Sequence, residues 1–134
     1  MTSVSETLHV TVQHTGDRTA VVAVAGDVDL HTASVLRGHA LAVVEQGVPH
    51  LVLDLAQVDF VDSTGLSTLI HLLHATHRAG GSLLLAEVPD RLMRMINMTG
   101  ISQLLPVHPT VAEALAGRAA ATSAEAGADA GTPD

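Results

Sequence analysis

Leu51-Val52-Leu53-Asp54-Leu55 is a nearly continuous apolar run, and its reading decides the fold. A strand with one wet face alternates apolar and polar residues, so a run without alternation suits a strand covered on both faces by other elements. We read it as the central strand of a sheet. Upstream, Leu8-His9-Val10-Thr11-Val12-Gln13 alternates as a half-buried strand does, and His14-Thr15-Gly16-Asp17 supplies turn chemistry. Thr19 to Ala25 then resumes a β-branched apolar run, which makes an opening hairpin, and Gly26-Asp27-Val28-Asp29-Leu30 ends its second strand. From Thr32 the period becomes helical, with Val35, Leu36, Ala40, Val43 and Val44 on one side and Gly47 as the stop.

Downstream of the central strand, Asp62 or Ser63 can cap a helix whose stripe is Leu66, Leu69, Ile70 and Leu73 and which ends at Gly80-Gly81. Ser82-Leu83-Leu84-Leu85-Ala86 reads as the next strand. Pro89 opens a further helix with Leu92, Met93, Ile96 and Met95 toward the core and Gly100 as its end. Leu104-Leu105-Pro106-Val107 reads as a short edge strand, because its proline cannot donate to a central ladder. Thr110 caps a last helix through Leu115. The expected fold is a single α/β domain with a mixed, mostly parallel β-sheet, packed helices and the order ββαβαβαβα. Residues 1–7 are expected as a short arm, 8–116 as the domain, and 117–134 as a disordered Ala-rich tail without hydrophobic periodicity.

Composition removes whole classes of function. The 134 residues include 47% hydrophobic ones, enough for one continuous core. Without cysteine there are no disulfides, thiolate metal sites or thiol chemistry. The formal charge is −8, with six arginines scattered along the chain and no lysine, which argues against nucleic acid as a partner. Phe60 is the sole aromatic, so base-stacking platforms cannot be built. No segment approaches the ~20 apolar residues needed to span a bilayer, and the N-terminal residues lack signal-peptide character, so no membrane association and a cytoplasmic location are expected.

Three blocks carry a resemblance to a known family. They are Gly26-Asp27-Val28-Asp29-Leu30-His31-Thr32-Ala33, Val58-Asp59-Phe60-Val61-Asp62-Ser63-Thr64-Gly65-Leu66, and Ile96-Asn97-Met98-Thr99-Gly100-Ile101. In this order and spacing the chain, over roughly Leu8 to Leu115, resembles the anti-sigma factor antagonists of the STAS superfamily, bacterial proteins that act by partner exchange. The resemblance implies that unmodified protein binds a cognate anti-sigma factor that is also a serine kinase, thereby releasing a sigma factor. It implies further that phosphorylation of Ser63 switches this binding off and that a PP2C-type phosphatase restores it. It also implies that the acidic loop of the first block lies near the serine, placing Asp27 and Asp29 beside Ser63. Family members with Ser-Ser in place of Ser63-Thr64 are common, and Ser-Thr is also seen.

The residues themselves support a modifiable surface. A helix start presents the Ser63 hydroxyl to solvent, and a phosphate there meets free N–H groups and the positive end of the dipole. A rotation of 100° per residue puts Ser63, Ser67, His71, His74 and Arg78 along one side of the helix, next to the buried stripe. With Asp27, Asp29, Asp62, Thr64 and Gly65, the last leaving room for close approach, this is the candidate partner surface. The plainer alternative is the solvated face that every amphipathic helix has. His71, His74 and His77 repeat every three residues, but His77 is expected to turn toward the core and no carboxylate completes a site, so no metal is expected. No Gly-x-Ser-x-Gly elbow or phosphate-binding Gly-rich loop is present, so neither an enzyme nor a cofactor is expected. A small acidic module whose partner face stays free has no need of a homo-oligomer, and a monomer is expected. The alternative function is a STAS ligand-sensing or scaffold module with no sigma-factor role.

Overall fold

The computed structural model describes residues 8–16 and 18–118. The expected arm at 1–7 and most of the expected tail lie outside the described residues. Strands β1 (His9–Gly16) and β2 (Thr19–Val28) form an antiparallel hairpin with Val12 opposite Val22. β1 runs through His14, Thr15 and Gly16, where the sequence suggested turn, because Gly16 still pairs with Thr19 across a register irregularity. Helix α1 (Ala33–Glu45) crosses to β3 (His50–Val61), α2 (Ser63–Arg78) to β4 (Ser82–Ala86), and α3 (Asp90–Thr99) with a 3-10 turn at Ile101–Gln103 to β5 (Val107–His108). Residues 111–118 are helical and are called α4. The sheet order is β1-β2-β3-β4-β5, antiparallel at the hairpin and parallel from β2 onward. The expected order ββαβαβαβα is the observed one.

The two faces of β3 explain its continuous apolar run. Leu51, Leu53 and Leu55 enter the main core with Leu36 and Ala40 of α1, Leu69 and Leu72 of α2, and Leu92 and Ile96 of α3. Val52 points the other way and packs with Val21, Ala86 and Ala114, the last from α4. Helices therefore cover the centre of the sheet on both sides, as a buried parallel strand requires. On α3 the core positions are Leu92 and Ile96, while Met93 and Met95 are only partly buried.

Three boundaries differ from the sequence reading, each for a physical reason. β3 does not stop at Leu55 but continues to Val61, paired on one side only: Gln57 lies opposite Ala25, Val58 opposite Gly26, and Val61 opposite Val28. Its pairing with β4 ends at Asp54 opposite Ala86. The apolar run breaks where cover is lost, yet the ladder to β2 persists. The last strand is Val107–His108 rather than Leu104–Val107; Leu105 is fully buried as a core plug, and Pro106 contributes only its carbonyl, which accepts from the Leu85 N–H at 2.9 Å. α4 continues through Gly117 and Arg118, where the tail was expected to begin.

Side chains set the start of α4. Thr110 Oγ1 accepts the Glu113 N–H at 3.0 Å, and Glu87 Oε2 accepts the Val111 N–H at 3.0 Å. Glu87 itself sits at φ 59, a left-handed conformation uncommon for a residue with a side chain. At the other end of α2 the chain turns sharply: Gly81 N–H donates to the Thr76 carbonyl at 2.7 Å and Ser82 N–H to the Pro49 carbonyl at 3.1 Å. A Cβ on Gly81 would overlap the Pro49 carbonyl group, which is backbone and cannot swing away. Gly81→Ala is therefore expected to cost about 1–3 kcal/mol of stability by overpacking, read as a lower urea midpoint at unchanged slope.

Candidate functional site

β2 and β3 run side by side past the rest of the sheet and end together at Val28 and Val61, opposite one another. The Asp62 N–H donates to the Val28 carbonyl at 3.2 Å, and the chain then turns directly into α2. Asp62, in extended backbone, caps the helix: its Oδ1 accepts the Gly65 N–H at 2.9 Å. Its Oδ2 accepts the Leu30 N–H at 3.1 Å, a bond that spans 32 residues and ties the β2–α1 loop to the helix start. Ser63 is the first residue of the helix and is exposed.

Asp29 organises the neighbouring loop. Its Oδ1 accepts the N–H groups of His31 at 2.9 Å and Thr32 at 3.2 Å. In return Thr32 Oγ1 accepts the Asp29 N–H at 3.0 Å, the reciprocal pattern of a capping box. The same hydroxyl lies 2.6 Å from the Asp27 carbonyl and 3.3 Å from Asp29 Oδ1. Desolvation works to raise the Asp29 carboxyl. The amides of His31 and Thr32, the Thr32 hydroxyl and the His31 imidazole outweigh it and hold the group below the ordinary aspartate value. Asp27 is exposed and Asp29 half-buried.

Ser63, Ser67, His71, His74 and Arg78 are all exposed, so the single helix side read from the sequence is present. Thr64 is half-buried, and its carbonyl accepts the Thr68 hydroxyl at 3.0 Å. Two residues differ from expectation. His77 is exposed; the core position on that turn belongs to Thr76, which is fully buried and bonds the Leu73 carbonyl at 2.9 Å. Gly65 is buried, and the room left by its missing side chain is filled by the chain's own strands. A Cβ there would stand 2.5 Å from the Val28 carbonyl oxygen and 2.8 Å from Val61 Cγ1, so glycine lets α2 seat on the strand ends and does not admit a partner.

Among the described residues no cluster of three or more His, Asp or Glu could hold a metal, and no helix is long and apolar enough to cross a membrane. Sequence reasoning overlooked two exposed apolar residues on the segments that meet here. Leu30, between Asp29 and His31, is 69% exposed, and Phe60 is 48% exposed. Phe60 lines a groove of about 300 Å³ between the free edge of β3 and α3, with Val58, Arg91, Leu92 and Met95. The signal available for Leu30 was an apolar residue between Asp29 and His31 in a loop, and for Phe60 it was the sole aromatic of the chain placed beside Asp59.

Asp62→Ala removes a helix cap and the tether to Leu30 together. The expected loss is about 1–2 kcal/mol, measured by urea unfolding. For Asp29 the sign is fixed by its lowered folded value. Its hydrogen bonds stabilise the loop fully above the ordinary aspartate value of about 3.9 and are lost as pH falls through the lower folded value. In an NMR titration the amide signals of His31 and Thr32 are expected to move with a midpoint below about 3.9, and Asp29→Asn should remove that transition.

Comparison with known proteins gives the site a family context. The chain is 34% identical over 86 residues to the anti-sigma-B factor antagonist of Bacillus subtilis (strain 168), covering 64% of this chain and 78% of that protein. A crystal structure of an anti-sigma factor antagonist from Mycobacterium paratuberculosis superposes with a TM-score of 0.73 at 31% identity, covering 82% of this chain and 92% of that one. The Bacillus cell fate determinant SpoIIAA in its phosphorylated form shares the fold at a TM-score of 0.64 and 17% identity, over 80% of this chain and 96% of that one. The STAS domain model matches residues 9–114, from β1 into α4, and the chain belongs to the STAS domain family.

Proposed function

We propose that this STAS domain is an anti-sigma factor antagonist that works by partner exchange, with Ser63 as its switch. Unmodified, it binds a cognate anti-sigma factor that is also a serine kinase, and a sigma factor is thereby released. Phosphorylation of Ser63 ends the complex, and a PP2C-type phosphatase restores the active form. The protein acts in the cytoplasm, as a monomer, by binding rather than by catalysis. Support for the antagonist reading comes from relatives about a third identical over the aligned residues, which are named anti-sigma factor antagonists.

The observation that supports the reading most directly is the exposed hydroxyl of Ser63 on the first residue of a helix whose cap is already supplied by Asp62. Because the cap does not use the serine, the hydroxyl can be modified without removing a bond that holds the fold. The added charge of about −1.5 to −2 at pH 7 stands beside Asp62 and the acidic loop, and repulsion is strongest where a partner excludes water. The switch therefore acts on the interface while the domain stays folded.

Ser63→Ala is expected to bind the kinase constitutively and Ser63→Asp about tenfold or more weakly, as a single desolvated charge requires. Titration calorimetry of both variants against the cognate kinase, with intact-mass detection of one added phosphate on wild type only, checks the proposal. Equal affinities of the two variants, or phosphate on Ser63→Ala, reject it.

A further inference from the structure

The β2–α1 loop holds more hydrogen bonds than a simple connection needs. Asp29 Oδ1 accepts two amides, Thr32 Oγ1 accepts a third, and Asp62 Oδ2 reaches across from α2 to accept the Leu30 N–H. These bonds fix the backbone on both sides of Leu30, yet the Leu30 side chain is 69% exposed. Shaping the turn that leads into α1 explains Asp29 and Thr32. It does not call for a leucine between Asp29 and His31, or for a tether from the helix that begins with Ser63.

We propose that Leu30 is an apolar anchor for the anti-sigma partner, pre-positioned beside Ser63 by the Asp62 carboxylate. The inference rests on the partner-switching reading above and adds a residue and a partner chemistry to it: the partner presents an uncharged apolar pocket at this point. Rigid presentation favours binding because little conformational freedom is lost when the side chain is covered. The surrounding acids allow a dry partner surface to close over them. Both oxygens of Asp62 and the Oδ1 of Asp29 already accept N–H groups of their own chain, so covering them leaves less unpaired charge than bare carboxylates would. A phosphate on Ser63 brings several further charged oxygens into the same cover, and the free N–H groups of the first turn of α2 pair only part of them. Leu30 thus supplies the desolvated contact against which the phosphate acts.

The test uses the full chain and the cognate kinase in titration calorimetry. Leu30→Ala is expected to weaken binding about tenfold or more, the effect of failing to bury a leucine, with an unchanged urea midpoint because the side chain is exposed. His31→Ala, an exposed neighbour in the same loop, is expected to stay within about twofold, the range of surface substitutions away from a contact. Wild-type affinity of Leu30→Ala together with weak binding of Ser63→Asp overturns the anchor and leaves the switch standing. Weak binding of Leu30→Ala with wild-type affinity of Ser63→Asp does the reverse. Equal losses for Leu30→Ala and His31→Ala, or a lowered midpoint for Leu30→Ala, assign the effect to the loop and overturn the anchor.

Discussion

The parallel pairing of β2 with β3 is the interaction on which the rest depends. It is the one parallel ladder that continues past the end of β4, and its two strands end in register at Val28 and Val61. That shared end lets Val28 accept the Asp62 N–H, receives Gly65 closely enough that no side chain fits between, and sets the β2–α1 loop next to the first turn of α2. A one-residue slip of β3 against β2 would turn Val61 to the face opposite Val28 and separate the capping aspartate from the loop it holds. The site is thus a product of sheet register before it is a product of any side chain.

Asp62 converts that register into a surface. One oxygen serves its own helix and the other serves a loop 32 residues away, so two segments remote in sequence behave as one body. Asp29 and Thr32 do the same at shorter range, each bonding the other's backbone. Acidic residues that look like a repulsive cluster in the sequence are in large part acceptors for backbone donors. This accounts for the lowered Asp29 carboxyl and for the ability of the loop to hold its shape.

Most of the fold was legible because local pattern and burial agree. Leu51 to Leu55 reads as a doubly covered strand and is one, and the stripe of α2 and the exits at Gly81 and Gly100 follow from period and turn chemistry. The misread boundaries are places where pairing or packing acts without a matching pattern. The outer half of β3 has lost its second neighbour and alternates poorly, and Leu105 is apolar because it plugs the core, not because it lies in a ladder. In the site, the row from Ser63 to Arg78 could be counted out at 100° per residue. The burial of Gly65, the exposure of His77 and the reach of Asp62 to Leu30 could not, since each depends on how closely α2 seats on strands far away in sequence.

Glu87 shows the reverse case, where a side chain outweighs its backbone. It follows β4, and the next helix, α3, lies on the main-core side, while its carboxylate reaches the first turn of α4 on the opposite side. A glycine would take φ 59 freely but could not make that bond. The glutamate thereby ties the turn after β4 to the start of α4. When α4 lifts away, a strained left-handed residue loses the bond that compensates it, so the amides of that turn and of the far helix should open to hydrogen exchange together rather than one after the other.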